Sequence, residues 1–193
     1  MTTPRVRWLR FVDLKFIGFD IRKEGDVYTI DQEEAIERFL EEAEVSDKYV
    51  GSPMPTAKAM YEDEEELNEE EAAVYRSRVG SLNYFSTASR YDISLATSRL
   101  SQKASKPTKG AWTAMQRVLQ YMKCNPSVVI SGKRTQGKDE IEAYSDSDLG
   151  GDRPHVLRSQ TGLMILMNGV PMYWSSRKQS DSTAFSSTMA ERA

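Results

Sequence analysis

The chain of 193 residues contains one cysteine, Cys124, and one histidine, His155. A single thiol excludes an internal disulfide and any zinc site built from cysteines. A single imidazole excludes metal centres that need several histidines, and it leaves a Ser-His-Asp relay with one choice of base. No run of about 18 apolar residues occurs, so no membrane-spanning helix and no membrane partner are expected. The start, Met1 to Trp8, lacks the apolar core of a secretory signal. These absences point to a cytoplasmic or nuclear protein.

What is present fits a globular class, with 39% hydrophobic and 28% charged residues. The net charge of -3 hides an asymmetry. Residues 1–73 hold 9 Lys+Arg against 20 Asp+Glu, a net of -11, and residues 74–193 hold 17 against 9, a net of +8. A basic half is the electrostatic footprint of a nucleic-acid contact, though it also describes an ordinary solubilising surface. The acidic run from Glu62 to Glu71 reads as a solvated loop rather than a metal site. Its last three acids suit the first turn of a helix capped by Asn68.

Periodicity predicts an α+β chain. Phe11 to Ile21 suggests a strand with Gly18 inside it, and Val27 to Ile30 follows a Gly-containing turn, so the two form a hairpin. Asp31 looks like an N-cap completed by Glu34 as a capping box, opening an amphipathic helix over 32–44. Ser46 to Ala59 is an extended connection with two prolines. Residues 69–125 read as three helical pieces. Their apolar faces are Tyr75, Val79, Leu82 and Phe85; then Ile93, Ala96 and Leu100, with Leu95 as a further candidate; then Trp112, Met115, Val118, Leu119 and Met122. Short joins argue for an antiparallel bundle, with Pro107 near the third start. Basic residues interleave with these faces: Arg76, Arg78, Arg90, Arg99, Lys103, Lys106, Lys109, Arg117 and Lys123. They fit a phosphate track, and equally an outer helix surface. After Asn125-Pro126 the period becomes strand-like: 128–130, 141–148, 162–167 and 172–176, with Asn168-Gly169 as a hairpin turn. Ser180 to Ser187 is polar, and Thr188 to Ala193 reads as the start of a helix.

The stretch Glu142-Ala143-Tyr144-Ser145-Asp146-Ser147-Asp148-Leu149-Gly150-Gly151-Asp152 carries the most chemistry. A strand puts Asp146 and Asp148 on one face, and two like charges held close need a cation or donors to answer them. Magnesium, a hard ion held by one or two carboxylates, suits such a strand end. A plain solvated turn is the competing reading, since Asp, Ser and Gly are turn formers. An Asp-x-Asp phosphotransfer site is a weaker one, because no Thr follows soon after.

The block Tyr75-Arg76-Ser77-Arg78-Val79-Gly80-Ser81-Leu82-Asn83-Tyr84 resembles one in the Pol polyproteins of copia-type LTR retrotransposons. So do Arg117 to Lys123, Tyr144 to Asp148 with Gly151-Asp152, Arg158 to Gly162, Trp174 to Gln179, and Ser186 to Glu191, in the same order. Phe16 to Ile21 and Ser52-Pro53-Met54-Pro55 continue the likeness upstream. The resemblance implies the end of a polymerase palm hairpin (1–45), an acidic linker (46–72), a helical thumb/connection bundle (73–125), and a truncated ribonuclease H-like sheet with its first helix (126–193). It implies Asp146 and Glu191 as catalytic, metal-binding residues for Mg2+, and an RNA–DNA hybrid or duplex as partner, together with the rest of the polyprotein. Arg76, Arg78, Arg117, Lys123, Arg177 and Lys178 are the expected nucleic-acid contacts. No Tyr-x-Asp-Asp string occurs, and two of four expected acidic ligands are missing. The chain is therefore expected to bind nucleic acid but to be catalytically incomplete alone. A nonenzymatic binding protein derived from such an element is the alternative.

Overall fold

The computed structural model describes residues 13–54, 63–126, 128–133, 137, 139–147 and 158–183. These form two antiparallel sheets and four α-helices. The first sheet has strands β1 (Asp13–Phe16), β2 (Phe19–Glu24), β3 (Val27–Asp31) and β4 (Ile130–Lys133), in that order. The second has β5 (Ile141–Ser147), β6 (Arg158–Met167) and β7 (Val170–Thr183). Between them run α1 (Glu33–Glu42), α2 (Glu69–Ala88), a short 3-10 turn (Tyr91–Ile93), α3 (Ser94–Ser101) and α4 (Lys109–Cys124).

The apolar run from Phe11, expected as one strand, instead folds back on itself within its described part. Leu14 pairs with Ile21 and Phe16 with Phe19. The two-residue turn puts Ile17 at φ 49 and Gly18 at φ 78, the left-handed pair that a tight hairpin requires. Gly18 was the signal for this turn, and the β-branched Ile17 beside it disguised it. Tyr84 of α2 donates its hydroxyl to Ile17 O at 3.2 Å, which ties the turn to the helices.

Helix α1 starts at Glu33, and its N-cap is Gln32, with no side-chain cap bond. The expected capping box on Asp31 is absent. Asp31 ends β3, pairs with Arg22 at 2.7 Å, and accepts Glu33 N–H at 3.2 Å. An ion pair across the strands holds that carboxylate. At α2 the cap forms as expected: Asn68 accepts Glu71 N–H, and Glu71 accepts Asn68 N–H. The acidic stretch before it runs beside the start of α4, where Asp63 O and Glu65 O accept the N–H groups of Gly110 and Lys109. Those two donors have no partner inside their own helix.

The helices hold the core. Tyr75, Leu82, Ile93, Met115, Val118, Leu119 and Met122 are fully buried, and Ile36 and Leu40 of α1 join them. Leu95, grouped with the second apolar face in the sequence, is exposed. The Tyr75 hydroxyl donates to Leu100 O at 2.9 Å, joining α2 to α3. Burial pushes its pKa above that of an ordinary tyrosine, so it remains a donor. Arg90, a basic residue among those fitting a phosphate track, is 1% exposed and makes a bidentate pair with Asp92 at 2.8 and 2.9 Å.

Two further differences concern the strands. The segment at 128–130 was expected as a strand. Its strand lies at Ile130–Lys133 and pairs with β3, so Ile30 faces Ile130 across about 100 residues. β7 runs to Thr183, past the expected end at Ser176, because it pairs with β6 as far as Arg158. The Asn168-Gly169 turn forms as expected, both residues at positive φ. Asn168 also fixes the approach to β5: its N–H donates to Glu140 O, and its side chain accepts Glu140 N–H, both at 2.8 Å. The two sheets meet where Gly132 lies under Val170. A Cβ at Gly132 would stand 2.4 Å from Val170 Cγ2, so only glycine fits.

Candidate nucleic-acid and metal site

Asp146 lies near the end of β5, an edge strand, with its side chain exposed. Residues paired across antiparallel strands share a face, so two rows cross the sheet: Tyr144, Met164 and Trp174, and Asp146, Gly162 and Ser176. Trp174 anchors that face on the helices. Its indole N–H donates to Ser86 O at 2.6 Å, and its ring meets Tyr91 edge-on at 5.8 Å between centroids. Gln160 adds a second anchor by donating to Ser98 Oγ of α3 at 3.0 Å and to Ser176 Oγ at 2.9 Å.

Between these anchors and β5 opens a cleft of about 530 Å³ lined by Asp146, Tyr144, Gly162, Tyr91 and Leu95, among others. Gly162 opposite Asp146 leaves the carboxylate without a side chain over it. Tyr144 donates to Glu142 at 3.2 Å, and that bond holds the phenol's pKa above its ordinary value. Asp146 is thus a carboxylate open to solvent at the lip of an aromatic cleft. It can offer oxygen to a hard cation or accept from a donor. Glu191, the second expected metal ligand, and Asp148, Asp152 and His155 lie outside the described residues. Among the described residues no group of three or more His, Cys, Asp or Glu side chains converges.

The six expected nucleic-acid cations fall into two sets. Arg78 donates to Ala43 O at 3.3 Å and lies over the Trp112 ring at 5.6 Å. Arg117 donates to Ser52 O at 3.1 Å. Lys123 donates to Val45 O at 2.7 Å and pairs with Asp47 at 2.6 Å. These three pin the connection after α1 along α2 and α4. Arg76 pairs with Glu69 at 2.8 Å. Arg177 and Lys178 differ: both are exposed on β7, and neither has an ion pair among the described residues.

No protein-family model matches the chain, and no solved structure matches it. Individual proteins do. The chain is 39% identical over 117 residues, 61% of its length, to the retrovirus-related Pol polyprotein from transposon RE2 of Arabidopsis thaliana. It is 30% identical over 169 residues, 84% of its length, to the corresponding polyprotein from transposon TNT 1-94 of Nicotiana tabacum. It is 29% identical over 182 residues, 92% of its length, to a putative transposon Ty5-1 protein of Saccharomyces cerevisiae. By sequence, this chain is related to the Pol polyproteins of copia-type transposons.

This Pol relative spans only 8% of the Arabidopsis polyprotein and 12% of the Nicotiana one. The pairing of Arg78, Arg117 and Lys123 had one visible cue in its sequence: an acidic segment sits upstream of a basic helical one. Their acceptors are mostly backbone carbonyls of the segment 43–52, however, and composition does not reveal those. The Gln160 bridge had no cue at all, since an amide between Ser159 and Thr161 looks like surface sequence.

Proposed function

We propose that the chain is a nucleic-acid-contacting segment of a retrotransposon Pol polyprotein, one that binds an RNA–DNA hybrid and does not cleave it unaided. On this reading residues 1–45 derive from the polymerase palm, 46–72 form an acidic linker, 73–125 are thumb and connection, and 126–193 open a ribonuclease H-like domain. The boundary at 125/126 is one of ancestry rather than packing, because β4 completes the sheet that β1 to β3 begin.

The observation that carries the reading is the exposed carboxylate of Asp146 on an edge strand of a chain related to Pol polyproteins. Asp146 and Glu191 would hold Mg2+, which polarises a phosphodiester and activates water when bound. A two-ion centre needs several carboxylates, and the described part of this cleft supplies Asp146 alone. For phosphate contacts the reading favours Arg177 and Lys178 over the four cations with partners of their own.

The test combines a labelled RNA–DNA hybrid, Mg2+ and the whole chain, read by anisotropy and by gel. Expected are binding at low salt that weakens steeply as salt rises, and an intact hybrid. No binding at low salt would sink the reading. Robust cleavage that Asp146→Asn abolishes would refute the claim of incompleteness.

A further inference from the structure

Among the described residues, four of the surface hollows present carboxylates, three of them beside a lysine or arginine. Glu37 and Glu41 line one between α1 and α4, Asp20 and Glu34 one beside the first hairpin, Asp146 the cleft above, and Glu42 one between α1 and α2. A fifth, of about 450 Å³, has none. It runs between the C-terminal half of α2, α3 and residues 172–177 of β7, an edge strand of the second sheet. The fifth is lined by one cation, Arg177, and by no carboxylate, so it sets no like charge against a polyanion.

The hydroxyls of this groove are not equivalent. Ser86 and Thr87 donate to Asn83 O, and Ser101 donates to Thr97 O, so their hydrogens are engaged inside their own helices. Ser98 and Ser176 are the reverse. Both oxygens accept from Gln160, a buried side chain. Each therefore keeps its hydrogen to donate, and neither has a protein acceptor among the described residues. Gln160 thus presents two donors at fixed positions. Asn83, Tyr173 and Arg177 line the same groove, Tyr173 at 44% exposure; Tyr173 and Arg177 alternate with Ser176 on β7, so they flank the groove at the strand's open edge and not from the Ser176 face. Hydroxyl, amide and guanidinium donors are the groups that contact phosphate and sugar. An exposed ring beside them offers a base a stacking face.

We propose that this groove carries the sugar–phosphate backbone of one hybrid strand, with a phosphate at Ser98, Ser176 and Arg177 and a neighbouring base on Tyr173. The proposal rests on the hybrid-binding reading and adds the location. Asp146 takes no part in it, so binding here needs no metal.

The test uses the whole chain and a labelled hybrid in EDTA. Arg177→Ala should weaken binding about tenfold and lower the salt slope by about one. Thr87→Glu, which adds a carboxylate at an exposed position in the groove, should weaken it comparably without disturbing the core. Lys106→Ala, where the lysine pairs with Glu66, should change nothing. A hybrid carrying 4-thiouridine should crosslink to the peptide containing Tyr173. If the native chain binds but neither groove variant matters, or the adduct maps elsewhere, the location is wrong while the hybrid-binding reading stands. If the native chain binds no hybrid, both fall. If inorganic phosphate displaces the hybrid at equal phosphate concentration, the groove takes free phosphate and not a strand.

Discussion

The helical region and the second sheet are built on different physics. From Glu69 to Cys124 the fully buried side chains are chiefly hydrocarbon: Leu82, Ile93, Met115, Leu119 and Met122. In the second sheet the buried side chains among the described residues are Ser159 and Gln160, both polar. Its large apolar groups stay partly or largely open, with Ile141 71% exposed. Burial of apolar area drives folding at roughly 25 cal/mol per Å². The helices draw on that term. The sheet leans on its ladder and on two anchors, Trp174 and Gln160. The lesson is one of dependence: the helical region supports itself, and the sheet is supported by it.

The strongest way to break that contrast is to attack the helical side at its buried charge. Asp92→Ala leaves Arg90 buried without its carboxylate, which should cost about 3–5 kcal/mol. Loss should be global, with helix and sheet signals vanishing together in urea. A loss below about 1 kcal/mol would mean that Arg90 reaches solvent on its own. Next comes the anchor. Trp174→Ala should cost about 2–3 kcal/mol, less than the 3–5 of a fully buried tryptophan. Amide exchange should speed up in residues 141–183 while α2 and α4 stay protected. Equal loss of protection in the helices would show the two regions to be one cooperative unit.

The same contrast explains what could be read from the sequence. The apolar spacing of Tyr75, Val79, Leu82 and Phe85 names the core face because helices bury a continuous stripe. Asn68 with Glu71 names a cap because the two donors they satisfy are three residues apart. Strand partners are set by contacts distant in sequence, so nothing near Ile130 announces Ile30 as its neighbour. The candidate site divides the same way. The placement of Asp146 near the end of a strand was legible because that strand is short and polar at its end. The occupation of Arg78, Arg117 and Lys123 was hidden, since backbone carbonyls carry no residue identity. Arg90 misled for a related reason: its partner Asp92 is only two residues away in sequence, but its burial is a property of the whole bundle.

Two smaller changes sharpen the comparison at the seams of the first sheet. Gly132→Ala drives a methyl into Val170, where β4 meets β7, and overpacking of this kind costs about 1–3 kcal/mol. Val170→Ala in the same chain should recover most of it. No recovery would place the strain in the β4 backbone instead. Ile17→Asn should act in the opposite direction. Ile17 holds φ 49 at 74% exposure, so it bears left-handed strain with little burial in return. Asn tolerates that conformation, and the exchange should stabilise by about 1 kcal/mol. An unchanged midpoint in urea would mean that contacts of the isoleucine offset its strain.

The smallest effect separates the cations that hold the fold from those left open for a ligand. Lys123 lies against Asp47, and its hydrogen bond and charge hold that carboxyl below its ordinary value of 3.8. A folded-state pKa lowered in this way contributes stability above the unfolded value, and the contribution disappears as pH falls through the folded one. Asp47 is fully exposed, so the contribution is slight. Asp47→Asn should therefore be marginally less stable than the native chain at neutral pH and equal to it once the pH is well below 3.8. Arg177→Ala should show no such acid-dependent gap, because no carboxylate holds that guanidinium among the described residues. A gap for Arg177 of the same size as that for Asp47 would mean that the cation on β7 is also structural, and it would remove the electrostatic distinction between the helical region and the groove.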